Sequence, residues 1–245
     1  MSREILKITG EDREHFLQGL VSNDVARLKD GLVYTAMLTP QGKYIADFFL
    51  VPAGDAILLD VDASLAPMLT QRLTMYKLRS KVTIAPAALY LHRGLGARPD
   101  DGFADPRHEA LGWRAYRQDP AGEDTTDWTA LRVGLGVPET GAELGPDSFI
   151  LEMGFERLKG VDFKKGCYVG QEVTARMKHK TELRKGLARV VGAAPLRAGA
   201  DILSEGKPAG TVLSVAGNRA LAYLRFDRAE KGLEADGQAL RFETL

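Results

Sequence analysis

The chain has 245 residues, of which 44% are hydrophobic, so it can bury one large core or two smaller ones. Lysine and arginine together number 33, as do aspartate and glutamate, and a net charge of zero gives no overall attraction to nucleic acid or an anionic membrane. The single cysteine excludes an intrachain disulfide and is typical of a reducing compartment.

Targeting and metal-site signals are weak. The first residues, Met1-Ser-Arg-Glu-Ile-Leu-Lys7, contain no apolar signal core, and no apolar run approaches the roughly 20 residues of a spanning helix. We therefore expect a cytoplasmic protein that neither crosses a membrane nor binds nucleic acid directly. One cysteine cannot hold a metal ion by itself, so we predict no metal site built by this chain alone.

The first half of the chain predicts helices combined with an antiparallel sheet. Thr9 is expected to cap a first helix, and Ser64 a second helix that continues to about Leu78. Six strand-like runs are separated by turn formers, and they lie at 32–38, 44–51, 56–61, 81–84, 88–91 and 113–116. The first three of these runs indicate an antiparallel meander. Strands with segregated helices are typical of the α+β class.

The pattern changes beyond residue 184. Short strands separated by glycine turns are typical of a small β-barrel, and they occur at 187–191, 202–204, 210–214, 221–224 and 239–242. A short helix is expected before them, at 127–133. We therefore predict a first domain over residues 1–184 and a C-terminal β-barrel over residues 185–245.

The most informative segment surrounds Cys167. Lys164 and Lys165 precede it, and nearby cations favour the thiolate, which is both the nucleophile and the metal-binding form of cysteine. Gly166 and Gly170 bracket it, and glycine allows the backbone to approach a ligand closely. Because a lone cysteine often serves as a small buried hydrophobe, a structural role stays open at this point.

Acidic side chains within apolar runs are further candidates. Asp47 shares a strand face with Ile45 and Phe49, where an unpartnered carboxylate is costly, so it either faces a ligand or lies on a solvated face. Glu152 follows two apolar residues and is expected to accept hydrogen bonds from a ligand or to pair with an arginine such as Arg157.

Polar residues near both segments allow similar alternatives. Asn23 can line a pocket or form a turn with Asp24. Gln171 and Glu172 directly follow the glycine-bracketed cysteine and offer hydrogen-bond donors and acceptors. Arg176 lies four residues after Glu172, so it can form an ordinary helical ion pair or bind an anionic ligand tail.

The string Lys165-Gly-Cys-Tyr-Val-Gly-Gln-Glu172 resembles the signature of the YgfZ family of folate-binding proteins, which includes mitochondrial iron–sulfur assembly factors. Similar segments occur in the family's order at 16–24, 39–47, 136–138, 151–152 and 206–214. The resemblance implies a fold like that of the glycine cleavage aminomethyltransferase (T-protein), with a tetrahydrofolate pocket. It implies Cys167 and Asp47 as reactive residues and these ligand-binding residues: Asn23, Asp47, Glu152, Gly166, Tyr168, Gly170, Gln171, Glu172 and Arg176.

The resemblance implies an accessory protein for assembly or repair of iron–sulfur enzymes, tRNA-modifying ones among them. Folate and iron–sulfur assembly or client proteins would be its partners. The alternative is a tetrahydrofolate-dependent aminomethyltransferase, but those enzymes carry paired acidic residues where this chain has Ala46-Asp47, and a glutamate where it has Gly134. These differences argue against aminomethyl transfer. A non-catalytic scaffold with a structural cysteine is the third alternative.

Overall fold

The computed structural model describes residues 2–180, 183–243 and 245, with the side chain of Lys180 left out. The described chain divides into two compact units. The first contains residues up to Asp124 together with Glu156–Val173, and the second contains Thr125–Phe155 together with residues from Thr174 onward. Each unit is assembled from separate segments, which a linear division such as 1–184 and 185–245 does not represent. That division stays a prediction.

A five-stranded sheet forms the centre of the described part of the first unit. Its strands are β1 (Arg3–Thr9), β2 (Val33–Leu38), β3 (Tyr44–Ala53), β4 (Ala56–Asp62) and β5 (Thr83–Pro86). Their spatial order is β2-β3-β4-β1-β5, and every neighbouring pair is antiparallel. The predicted meander of β2, β3 and β4 is confirmed.

Helices α1 (Arg13–Gln18) and α2 (Ala66–Lys77) belong to the same unit. The predicted caps are wrong, because Thr9 ends β1 and the Ser64 hydroxyl donates to Asp62. Neither helix has a hydrogen bond from a capping side chain. Strand β1 was not predicted, because its apolar residues form a run too short to distinguish a strand from a helix entry.

The two faces of this sheet differ in chemistry. One face contributes side chains such as Phe48 and Leu59 to an apolar core that also contains residues of α1 and α2. On the other face Tyr34, Phe49 and Asp60 are aligned across β2, β3 and β4. Because strand side chains alternate, Asp47 also lies on this second face, two residues before Phe49.

A smaller sheet is attached to the polar face of the first. It is built from β6 (Tyr90–Gly94), β7 (Phe103–Ala104) and β8 (Trp113–Arg117), in the order β6-β8-β7 within the described residues. From β8, the Arg114 guanidinium and the Tyr116 hydroxyl donate to the Asp60 carboxylate at 2.6 and 2.8 Å. A buried ionic contact therefore joins the two sheets.

The second unit contains helix α3 (Trp128–Leu135), and helix α4 (Gln171–Lys180) begins just before its C-terminal segment. The remaining elements are β9 (Lys185–Gly192), β10 (Asp201–Ser204), β11 (Lys207–Ala216), β12 (Arg219–Arg225), α5 (Phe226–Ala229), β13 (Leu233–Ala235) and β14 (Gln238–Glu243). The strands close into a barrel in the order β10-β11-β12-β9-β14-β13. The predicted barrel is confirmed. Across the described residues, no helix is long and apolar enough to span a bilayer.

Candidate functional site

Cys167 is exposed on an irregular segment, residues 161–170, that directly precedes α4. We call it the cysteine segment. The start of this segment is held by Asp162, whose carboxylate accepts the backbone N–H groups of Lys164 and Lys165 at 2.7 and 3.2 Å. The guanidinium of Arg27 donates to the same carboxylate at 2.8 Å. The thiol therefore lies at the surface on an anchored segment, which argues against the alternative of a small buried hydrophobe.

Lys165 anchors the segment a second time. Its side chain is buried, and its ammonium group donates to the carbonyl oxygens of Gln18, at 2.8 Å, and of Val21. The nitrogen also lies 4.9 Å from the centre of the Tyr168 ring. Carbonyls at the end of a helix lack internal partners and attract a cation, so Lys165 completes the C-terminal end of α1.

The sequence predicted that Lys164 and Lys165 both favour a thiolate at Cys167. The buried position of the Lys165 side chain gives that residue a structural role instead. Burial lowers the pKa of Lys165 to about 8, while the charges of Asp24 and Asp162 partly oppose the shift. Its hydrogen bonds go to backbone carbonyls and hold the segment in place. Lys164 is exposed and is the cation of the pair that stays at the surface near Cys167.

The far side of the segment is fixed by a close backbone contact at Gly170. This residue has φ +85°, and a Cβ there would lie 2.6 Å from the Thr39 carbonyl oxygen. In the facing β2–β3 turn, a Cβ on Gly42 would lie 2.8 Å from the Cβ of Val173. By contrast, a Cβ on Gly166 would meet nothing within 4 Å. Close packing of the backbone therefore explains Gly170 and does not explain Gly166.

Asn23 ties β2 to the chain that leads into the cysteine segment. Its side-chain amide donates to the carbonyl oxygens of Tyr34, at 2.8 Å, and Lys159, at 2.7 Å. Its side-chain oxygen accepts the Asp24 N–H at 2.8 Å. Both amide hydrogens are used in these contacts, so the residue acts here as a clamp. A ligand-binding role for Asn23 stays a prediction.

Asp47 is buried and lies between two tyrosines. The Tyr44 hydroxyl donates to one carboxylate oxygen at 2.6 Å and the Tyr34 hydroxyl to the other at 3.0 Å. Burial raises the pKa of Tyr34 well above its ordinary value, and the charge of Asp47 raises it further. Two neutral phenols thus orient a carboxylate, which matches the argument that an acid on an apolar strand needs partners.

An ionic network on the same sheet face was missed by the sequence analysis. Asp60 is fully buried and accepts from Arg3 and Arg114, both at 2.6 Å. Burial alone would raise the pKa of Asp60, but the two guanidinium charges outweigh it and hold the pKa at about 2. The apolar run around Asp60 carried the same signal as the run around Asp47, an acid that requires a partner.

This network extends toward Asp47 through Asp105, whose carboxylate lies 3.7 Å from the Arg114 guanidinium. The guanidinium of Arg107 pairs with Asp105 at 2.8 Å. It also lies over the rings of Tyr34 and Phe49, at 5.3 and 4.8 Å from the ring centres. The Tyr34 phenol, which donates to Asp47, is therefore itself packed under the Arg107 cation.

Glu152 belongs to the second unit, where it has local partners. The Tyr223 hydroxyl donates to its carboxylate at 2.6 Å, and the Lys185 ammonium lies 4.0 Å away. Burial raises the pKa of Tyr223, and the hydrogen bond to Glu152 contributes to the shift. The same unit contains Arg176, whereas Asn23, Asp47 and the cysteine segment lie in the first.

The remaining predicted residues begin α4. Gln171 is its first residue, and the Gln171 N–H donates to the Tyr168 carbonyl at 3.2 Å. Glu172 and Arg176 are both exposed on this helix. Their ligand-binding roles stay predictions.

Comparison with known proteins identifies the family. Residues 184–244 match the family described as the CAF17 C-terminal β-barrel domain. The human mitochondrial iron–sulfur cluster assembly factor IBA57 is 31% identical over 267 residues, covering 91% of this chain and 75% of the relative. The chain belongs to the IBA57 family. The mouse protein is 30% identical with the same coverage, and a Mycosarcoma maydis homologue is 33% identical over 75% of this chain and 54% of its own length.

The comparison refines two expectations about this IBA57-family chain. The resemblance to iron–sulfur assembly factors is confirmed, but the relatives point to IBA57, which is related to YgfZ, and not to YgfZ itself. The expectation of a cytoplasmic protein is wrong, because these relatives are mitochondrial. It rested on the lack of an apolar segment, which does not distinguish the cytoplasm from the interior of an organelle.

A solved structure confirms the fold of the IBA57-family chain. The glycine cleavage system aminomethyltransferase T from Bartonella henselae superposes with a TM-score of 0.80, covering 99% of this chain and 83% of that one. Sequence identity is 16%, so this likeness establishes the aminomethyltransferase-like fold and leaves activity open.

Proposed function

We propose that this chain is an iron–sulfur cluster assembly factor that offers the Cys167 sulfur to a partner protein and binds a reduced folate. The observation that carries the proposal is the exposed sulfur on a segment fixed on both sides. Asp162 and Lys165 hold it before the cysteine, and Gly170 holds it after. A ligand presented in a fixed position loses less conformational entropy when it binds.

The chemistry of sulfur suits iron–sulfur cargo. Thiolates are the usual protein ligands of iron–sulfur clusters. Because the chain has a single cysteine, the other ligands of a cluster would come from the partner or from other residue types. We therefore propose that Cys167 supplies one ligand of a cluster shared with a partner, rather than a complete site. The dependence of tRNA-modifying clients on this protein stays a prediction.

The folate part of the proposal is supported by the acceptor groups. A pterin presents a donor-rich edge that a carboxylate can bind. Asp47 is such a carboxylate, buried on the sheet and oriented by the hydroxyls of Tyr34 and Tyr44. When bound, tetrahydrofolate would supply a one-carbon carrier; Asp47 would bind and orient it.

Aminomethyl transfer is the less supported alternative. Ala46 is fully buried in the apolar core, on the face opposite to Asp47, so it places no second acid beside that carboxylate. Gly134 lies within α3, where a Cβ would meet nothing within 4 Å. Steric crowding at the Cβ therefore does not explain the glycine, and the glutamate that the enzymes carry there is missing. We propose folate binding without aminomethyl transfer.

Substitution of the cysteine tests the main proposal. Cys167→Ala and Cys167→Ser should abolish support for iron–sulfur enzyme activity when they replace the wild-type protein in cells. Because the thiol is exposed, both variants should keep the wild-type free energy of unfolding within about 0.5 kcal/mol. Normal iron–sulfur enzyme activity in both variants would remove the proposal.

Calorimetry with tetrahydrofolate tests the folate part separately. We expect binding heat for the wild-type protein and weaker binding for Asp47→Ala. Gln41→Ala, an exposed change in the β2–β3 turn, serves as the matched control. No heat with any of the three proteins would remove the folate assignment and leave the cysteine proposal to its own test.

A further inference from the structure

A groove of about 720 Å³ opens beside the C-terminal end of α2, in the first unit. Asp12 and His15 line one side and residues 76–80 line the other. We call this the α2 groove. Two of the lining residues expose large apolar side chains, with Tyr76 37% exposed and Leu78 88% exposed. Hydrophobic side chains grouped at a concave surface are a feature of docking sites.

Leu78 is held in an unfavourable state. Its φ is +43° and its ψ is −106°, a backbone conformation that is rare for a residue with a branched side chain. The same residue exposes almost its whole apolar side chain to water. Strained backbone conformations persist only where the surrounding structure holds them, and they cluster at functional sites.

The charged groups around the groove are mainly basic. Lys77 and Arg79 line it, and Asp12 is the one acidic side chain among the lining residues. On the facing side the Asp12 carboxylate accepts the Lys81 backbone N–H at 2.7 Å. The groove therefore combines apolar contact area with excess positive charge.

We propose that the α2 groove binds an acidic, amphipathic peptide segment of a partner protein. Acidic side chains would complement Lys77 and Arg79, and an apolar side chain would cover Leu78. A second copy of this chain fits poorly, because a two-fold contact would place the same basic groups against each other. Nucleic acid also fits poorly, because the exposed apolar side chain of Leu78 would make no favourable contact with a phosphate backbone and the chain has no net positive charge.

Fluorescence anisotropy with a defined probe tests this assignment. The probe is a labelled peptide of about 14 residues with leucines at i, i+3, i+4 and i+7 and glutamates elsewhere. Wild-type protein should bind it, and Leu78→Asn and Arg79→Glu should each weaken binding roughly tenfold. Asparagine tolerates positive φ better than leucine, so Leu78→Asn should not lower the melting temperature.

Matched controls use exposed residues outside the groove. Leu95→Ser and Arg98→Glu make the same kinds of change elsewhere in the first unit and should bind the probe like wild type. The same peptide with lysines in place of glutamates should bind at least tenfold more weakly. The assignment is overturned if the groove variants bind like wild type, or if the acidic peptide does not bind. Preferential binding of a labelled oligouridine, or self-association that Arg79→Glu abolishes without peptide binding, would also overturn it.

Discussion

The ammonium group of Lys165 lies 2.8 Å from the carbonyl oxygen of Gln18, although the two residues are 147 positions apart in the chain. Gln18 ends α1, and Lys165 stands two residues before the exposed Cys167. The N-terminal helix therefore helps to position the thiol. The contact places a positive charge where burial opposes it, which lowers the pKa of Lys165 to about 8.

This buried lysine predicts a specific pH dependence of stability. An ordinary lysine keeps its proton up to about pH 10.5, so between pH 8 and 10.5 the unfolded chain binds more protons than the folded chain. The free energy of unfolding contributed by Lys165 therefore rises with pH in this window, and the full cost of the buried charge is present below pH 8. Urea unfolding of wild type and Lys165→Met at several pH values measures this contribution.

The difference between the two proteins is the relevant quantity, because other groups titrate in both. Wild type should gain stability relative to Lys165→Met as pH rises from 7 to 10. Lys164→Met, at the exposed neighbour, is the matched control for removal of a lysine from this segment. A flat or falling difference for Lys165→Met would contradict the burial of the ammonium group.

The glycines on either side of Cys167 predict opposite responses to the same substitution. Gly170→Ala should lower the free energy of unfolding by about 1–3 kcal/mol, because φ is +85° and the new Cβ would lie 2.6 Å from the Thr39 carbonyl oxygen. Gly166→Ala should change it by about 0.5 kcal/mol or less, because the added methyl meets nothing within 4 Å. Chemical denaturation measures both. Equal destabilisation by the two changes would contradict the close packing at Gly170.

Asp60 is the centre of a buried ionic network, and its removal should be costly. Asp60→Asn leaves the buried charges of Arg3 and Arg114 without their main counter-charge, so the free energy of unfolding should fall by about 3–5 kcal/mol. Asp55→Asn, in the exposed β3–β4 turn, is the matched control and should lie within about 0.5 kcal/mol of wild type. Similar stabilities of the two variants in urea titrations would show that the network contributes little.

The ion pairs of Asp60 also predict how the free energy of unfolding changes in acid. The folded pKa of Asp60 is about 2, below its ordinary value of 3.8. Its contribution is therefore present above pH 3.8 and is lost as pH falls through about 2. Wild type and Asp60→Asn should converge in stability toward pH 2, as followed by circular dichroism. A constant gap from pH 7 to pH 2 would contradict the assignment.

Local patterns in the sequence were sufficient for most strands and for the barrel. Strands β2, β3 and β4 have long apolar runs with turn formers between them, so their boundaries were predicted within about two residues. Strand β1 contains only three apolar residues, Ile5, Leu6 and Ile8, without clear alternation, and β13 has only three residues in all. Thr9 resembled a cap because its neighbours favour a helix start, whereas pairing with Thr83 of β5 keeps it in the strand.

The contacts of the candidate site were less accessible to sequence reasoning. The motif indicated an exposed, functional cysteine, and the exposure of Cys167 agrees with this. The destination of the Lys165 side chain could not be inferred, because its acceptors lie on α1, far away in the chain. Pairwise contacts between distant segments leave no periodic signal, so Asp60 appeared only as an isolated acid in an apolar run.

The tyrosine pair around Asp47 links stability to the proposed folate binding. Tyr44→Phe removes the 2.6 Å hydrogen bond to the buried carboxylate, and a bond to a charged group contributes about 1.5–3 kcal/mol to stability. If Asp47 binds tetrahydrofolate, the less firmly oriented carboxylate should also weaken binding by about 5- to 10-fold. Tyr90→Phe, at an exposed tyrosine in β6, should change neither quantity. Loss of stability with unchanged tetrahydrofolate affinity would show that the phenols stabilise Asp47 for folding alone and that another group binds the ligand.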